Sequence, residues 1–84
     1  MNKSSSRKSI IKKSLWSLRK GEVAIINKLN ANGDIRRRLQ DLGFIEGNKA
    51  VCVLKSPFGE PVAFFVKGAI IALRKEELEN ILIA

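Results

Sequence analysis

Residues 49–74 read KAVCVLKSPFGEPVAFFVKGAIIALR, and this stretch decides the fold. Lys49 to Lys55 is a strand candidate in which both alternating sets are apolar, Ala50, Cys52 and Leu54 on one and Val51 and Val53 on the other. Ser56-Pro57-Phe58-Gly59-Glu60-Pro61 follows. Its prolines fix φ and its glycine accepts backbone angles closed to other residues, so it reads as a turn. Val62 to Lys67 is a second strand, rich in β-branched and aromatic residues, which pack well on a pleated surface. Gly68 permits a bend, and Ala69 to Arg74 is a third strand. Apolar residues on both faces of these strands mean that one face lines a core and the other is covered by a helix or a partner.

Outward from this hairpin the period changes. Downstream, Lys75 to Asn80 reads as a short helix with Leu78 facing in, and Ile81 to Ala84 as a closing strand. Upstream, Gly21 leads into a strand over Glu22–Ile26, and Asn32-Gly33 is a turn signal. A helix is expected over residues 34–43, because Ile35, Leu39 and Leu42 fall on one face of a 3.6-residue period. Asp34 suits its start by capping or by the helix dipole, and Gly43 its end. Phe44 and Ile45 are expected to fold back on the same apolar face. Short strands, one inserted helix and a tight hairpin make a mostly β, small barrel the expected fold class. Closure would remove strand edges that invite aggregation.

The chain has 84 residues, enough for one domain with a modest core. No apolar run approaches the roughly 18 residues needed to span a bilayer as a helix. There is no His and a single Cys, so a His-based catalytic or zinc site and an internal disulfide are excluded. No Gly-rich nucleotide-binding motif occurs. These absences argue against an enzyme and against a small-molecule substrate.

Sixteen Lys and Arg against eight Asp and Glu give a net charge of +8. Residues 1–14, MNKSSSRKSIIKKS, carry +5 of this through Lys3, Arg7, Lys8, Lys12 and Lys13, leaving +3 for residues 15–84. This segment is expected to be a disordered basic tail ahead of a domain over 15–84. No apolar h-region follows Ile10-Ile11, so it is not read as a secretory signal. Ile10, Ile11, Leu15, Trp16 and Leu18 interleave with Lys12 and Lys13. That pattern fits contact with an anionic membrane surface, or simply a solubilising tail.

Within the body, Arg36-Arg37-Arg38 fits either phosphate binding or a solvated helix face, with Asp34–Arg38 and Arg37–Asp41 as helix-surface pairs. The second is favoured, because no aromatic platform interleaves with the arginines. Phe58 in a Pro-Gly turn reads as an exposed anchor for a protein partner or as a ring folded over its own hairpin. Cys52 reads as a small core hydrophobe. Glu60, Glu76, Glu77 and Glu79 offer oxygen for weak divalent-metal binding, although Glu76, Glu77 and Glu79 fit a solvated helix face better.

One pattern runs through these segments. It is Leu18-x-x-Gly21-x-x-Ala24-x-Ile26, then Arg38-Leu39-x-x-Leu42-Gly43-Phe44-x-x-Gly47, then Val51-x-Val53. It continues with Ser56-Pro57-x-Gly59-Glu60-Pro61 and closes with Gly68-x-x-Ile71-Ala72-Leu73-Arg74-x-x-Glu77-x-x-x-Ile81-x-Ile83. In order and spacing this resembles the ferrous iron transport protein A family, FeoA. The resemblance implies an SH3-like barrel, a fold shared with the C-terminal domain of iron-dependent repressors. It implies a non-enzymatic, cytoplasmic accessory protein of bacterial ferrous iron uptake that binds the cytosolic part of a FeoB-type permease. The expected contacts are Arg37, Arg38 and Asp41 on the helix and Pro57, Phe58 and Gly59 in the turn. No cofactor is expected, and transition-metal binding is expected to be weak at most. Two rival readings are a nucleic-acid-binding or regulatory SH3-like module, which lacks a helix-turn-helix, and a transition-metal carrier.

Overall fold

The computed structural model describes residues 13–84. A single 3₁₀ turn, Leu15–Ser17, leads into β1 (Val23–Leu29), α1 (Gly33–Asp41), β2 (Lys49–Lys55), β3 (Val62–Val66), β4 (Ala69–Leu73), α2 (Lys75–Leu78) and β5 (Ile81–Ile83). The strands form one antiparallel sheet in the order β4-β3-β2-β1-β5. The architecture is mostly β with one inserted helix and one short C-terminal helix, as the residues imply.

β1 runs three residues past its expected end at Ile26, because it serves two partners. Val23 to Ile25 pair with β2, and Ile26 to Leu29 pair with β5 across an irregularity between Ile26 and Lys28. A second register shift lies between Cys52 and Leu54 in β2. Such bulges sharpen strand twist, and here they curl the sheet around its core. The curl is not completed by a β4–β5 ladder among the described residues. α2 lies between those two strands in the chain, and the small barrel is curled without being closed by strand pairing among the described residues.

The core holds Leu15, Leu18, Ile26, Leu39, Phe44, Cys52, Val62, Phe64, Val66, Leu73, Leu78 and Ile81, all buried. Leu15 and Leu18 are therefore structural, and the membrane-facing role read for them is withdrawn. The body also begins earlier than residue 15. Ser14 bridges Leu82, and the Ile83 amide donates to the Lys13 carbonyl at 2.9 Å. The rest of the basic tail, residues 1–12, lies outside the described residues.

α1 starts one residue before the expected 34 and ends two before 43. Asn32 occupies the N-cap position and makes no side-chain cap bond, and Asp34 lies in the first turn, where only the dipole favours it. At the other end the Gly43 amide donates to the Gln40 carbonyl and the Phe44 amide to the Leu39 carbonyl, both at 3.0 Å. That pair of bonds is a Schellman motif, with Gly43 at φ +107°. Leu39 is the one buried residue of the helix and Leu42 is half-buried, whereas Ile35 is 56% exposed. Phe44 turns into the core, but Ile45 stays exposed. α2 is shorter than residues 75–80, ending at Leu78.

Candidate partner-binding surface

The β2–β3 connection is a tight, anchored loop. The Gly59 amide donates to the Ser56 carbonyl at 2.9 Å, which closes a four-residue turn, and the Ser56 amide donates to the Pro61 carbonyl at 3.2 Å. Gly59 has φ +97°, a left-handed conformation that favours glycine. A Cβ there would stand 3.8 Å from the Trp16 ring. Trp16 itself packs on the core from the N-terminal turn. The Lys55 and Lys75 ammonium groups lie 5.7 Å and 5.5 Å from its ring centroid, within cation–π range. The Glu60 carboxylate accepts the Lys75 amide hydrogen at 2.7 Å.

The foot of the loop is thus fixed to the N-terminal turn and to α2, while its tip projects. Pro57 is exposed, Gly59 is half-buried and Phe58 is 93% exposed. Of the two readings of Phe58, the ring folded over its own hairpin is excluded by this exposure.

The three arginines separate in space. Arg36 donates to the Leu29 carbonyl at 3.2 Å and ties α1 to the end of β1. Arg38 pairs with Glu77 of α2 rather than with Asp34. Arg37 and Asp41 are both exposed, and no ion pair joins them in the structure. The helix-surface pairs expected at i, i+4 are replaced by one bridge between elements. Glu77 also accepts the Arg74 amide hydrogen at 3.0 Å, capping α2.

α2 consequently touches both halves of the expected surface, the loop through Lys75 and the helix through Glu77. Between them lies a cleft of about 700 Å³ lined by Ile35, Pro61, Ala72, Arg74 and Glu77, among others. The sequence places a short helix at α2 and singles out Trp16, but the part that both play in this surface, and the cleft itself, are not visible in it. A lone Trp between buried leucines was the available signal. Glu77 was visible only as one acid among several.

Burial raises the Cys52 thiol above its ordinary pKa of 9.0, against a weaker lowering by Lys55. Such a thiol is a poor ligand or nucleophile. Among the described residues no three of His, Cys, Asp and Glu gather as a metal-binding group. No helix there is long and apolar enough to cross a membrane.

With this geometry in place, comparison with known proteins is decisive. The profile of the FeoA domain matches residues 13–84. The chain belongs to the FeoA family. It is similar to the Fe(2+) transport protein A/Fe(2+) transporter FeoB fusion protein of Porphyromonas gingivalis, 28% identical over 67 residues. That match covers 80% of this chain but only 8% of the fusion. The solution structure of FeoA from Chlorobium tepidum is 31% identical, with a TM-score of 0.79 over 84% of this chain and 68% of that one. The crystal structure of Stenotrophomonas maltophilia FeoA complexed with zinc is 32% identical, with a TM-score of 0.76 over 86% of this chain and 89% of that one. That protein is described as a prokaryotic SH3 domain protein and as a candidate ferrous iron transport activating factor. The fold is therefore SH3-like, and the family is one of ferrous iron transport, whose FeoA domain is a transport accessory.

Proposed function

We propose that this FeoA-family chain is a non-enzymatic accessory that docks on the cytosolic part of a FeoB-type ferrous iron permease and modulates transport. The observation that carries this reading is the Porphyromonas gingivalis fusion, which places an FeoA-like segment and a FeoB transporter in one polypeptide. Fusion holds two modules at high effective concentration, an arrangement suited to partners that act in contact. The surface offered here is the Pro57-Phe58-Gly59 tip together with Arg37, Arg38 and Asp41 of α1, two patches that α2 connects through Lys75 and Glu77. An exposed ring on a loop whose foot is fixed loses little entropy on docking, which is what an aromatic anchor needs. In this reading iron is the permease's cargo, and the one thiol of this chain is buried away from it.

The test is a titration of the chain against the permease's cytosolic domain. Phe58→Ala is expected to weaken binding by about 1–2 kcal/mol, roughly tenfold, with an unchanged melting temperature. Unchanged affinity removes the loop from the interface. A parallel arm uses anionic liposomes, where Lys3, Arg7, Lys8 and Lys12 are each expected to add about 1 kcal/mol of attraction near the surface. Liposome binding that survives removal of residues 1–12 would count against that recruitment role.

A further inference from the structure

We propose that the free edge of β4 is a strand-addition site for an extended partner segment with apolar residues at its centre and acids at its ends. This goes beyond the permease reading, which concerns the Phe58 loop and α1.

The two ends of the sheet are treated differently. β5 is short, and Lys13 and Ser14 run alongside it through the Ser14–Leu82 bridge and the Ile83 bond to Lys13. β4 is the other terminal strand and, among the described residues, has no strand beyond it. Its five residues, Ala69-Ile70-Ile71-Ala72-Leu73, contain neither proline nor charge. Its register with β3 is regular from Val66↔Ala69 to Val62↔Leu73, without the bulges found elsewhere in the sheet. The usual means of blunting an edge are therefore missing from the strand itself.

The phase of the ladder shows which backbone groups are free. Lys67 and Gly68 form the turn between β3 and β4 with φ of 50° and 82°, the type I′ pattern of a two-residue hairpin. Such a turn is closed by a hydrogen-bonded pair, here Val66 and Ala69. Alternation then makes Phe64–Ile71 and Val62–Leu73 hydrogen-bonded pairs as well. Ile70 and Ala72 are left with N–H and C=O directed away from β3. Among the described residues neither takes part in a backbone bond outside the strand ladders. Both residues are exposed, Ile70 at 68%. Two donors and two acceptors at alternate residues are what an added strand pairs with.

Side chains give the edge its chemistry. Val23, Val51, Phe65 and Ile70 are paired in turn, so they form one apolar row across four strands on the outer face. The row ends at Ile70, where an added strand would extend it. Lys67 and Arg74 stand exposed at the two ends of β4, and Lys49 and Lys67 flank Val51 and Phe65 in a shallow cleft. Of the acids near the Arg74 end, Glu60 is engaged on the Lys75 amide and Glu77 on the Arg74 amide and Arg38, which leaves the exposed Glu76 against Lys67, Arg74 and Lys49. A second copy paired antiparallel about Ile71 would bring Lys67 opposite Lys75 and near Arg74 on a chain of net charge +8. Charge therefore favours an acid-flanked strand over self-pairing.

The experiment follows backbone amides of the ¹⁵N-labelled full chain during titration with a capped peptide. The peptide alternates valine and threonine between two terminal glutamates. Saturable shifts are expected at Phe65, Ile70 and Ala72, with slowed hydrogen exchange at the Ile70 and Ala72 amides. Exchanging the glutamates for lysines should weaken binding about tenfold at low salt. Ala72→Pro removes an outward donor and no β3–β4 bond, so it should abolish the shifts and keep the fold. Methylating the peptide's own amides should do the same on the unaltered protein. The proposal is overturned by no shift at millimolar peptide, by shifts that survive peptide methylation, or by equal binding of the lysine peptide. Self-association lost in Ala72→Pro would also overturn it, by making a second copy the occupant.

Discussion

Gly43 sits where three demands meet. It ends α1 in the left-handed region at φ +107°, its amide closes the Schellman motif, and its missing Cβ leaves room for Lys67, whose Cγ would lie 3.0 Å away. Gly43→Ala is expected to cost about 1–3 kcal/mol, read as a lower denaturation midpoint with an unchanged slope. Its role as a helix end was legible in the sequence, because Gly follows directly on an apolar period. The pressure from Lys67, which lies in the turn after β3, was not. Cys52 was equally legible as a core residue, and its titration has a definite sign. The folded thiol has a raised pKa, so its neutral form stabilises the fold fully below the unfolded value. That contribution is lost as pH rises through 9 and beyond toward the folded pKa. Cys52→Ala should flatten the alkaline part of the stability profile relative to the parent chain, measured by denaturation at successive pH values. Phe58 shows the limit at this scale. Composition left its two readings open, and only the exposure of the ring in the folded loop decided between them.

α2 is the element that organises the surface, although it has only four residues. A helix this short gains little from its own hydrogen bonds. It persists here because Leu78 is buried, Lys75 is held by Glu60, and Glu77 both caps the Arg74 amide and meets Arg38. The Arg38–Glu77 side chains remain 51% and 22% exposed, so solvent screens the pair and its worth is below about 1 kcal/mol. The cap matters more. Glu77→Ala is expected to lose about 1 kcal/mol, whereas Glu77→Gln, which keeps an oxygen for the Arg74 amide, should lose less. Thermal unfolding of the two variants separates cap from charge. Equal losses would assign the effect to the ion pair. Sequence spacing pointed to Asp34 and Asp41 as partners of the arginines because helix neighbours are the only contacts a linear pattern can supply.

For the molecule as a whole, the N-terminal turn is part of the domain. Leu15 and Leu18 are buried, Trp16 supports the β2–β3 loop, and Lys13 and Ser14 lengthen the sheet beside β5. Leu15→Ala is expected to cost about 2–5 kcal/mol, the range for a buried leucine whose cavity closes only in part. In a domain this small that is a large share of total stability. A change under 1 kcal/mol by chemical denaturation would mean that the turn detaches without disturbing the barrel.

The strands of the 49–74 stretch, the inserted helix and its glycine stop followed from the sequence alone. Alternation, the 3.6-residue period and the glycine and proline positions are local properties, written in neighbouring residues. The order and spacing of those segments carried the family resemblance as well. Tertiary structure alone decided that β1 divides between two partners, that Arg38 crosses to Glu77, that Trp16 lies under Gly59 and that β4 is a terminal strand among the described residues. Each of these depends on residues far apart in the chain, and their meeting is set by how the sheet curls around one buried core.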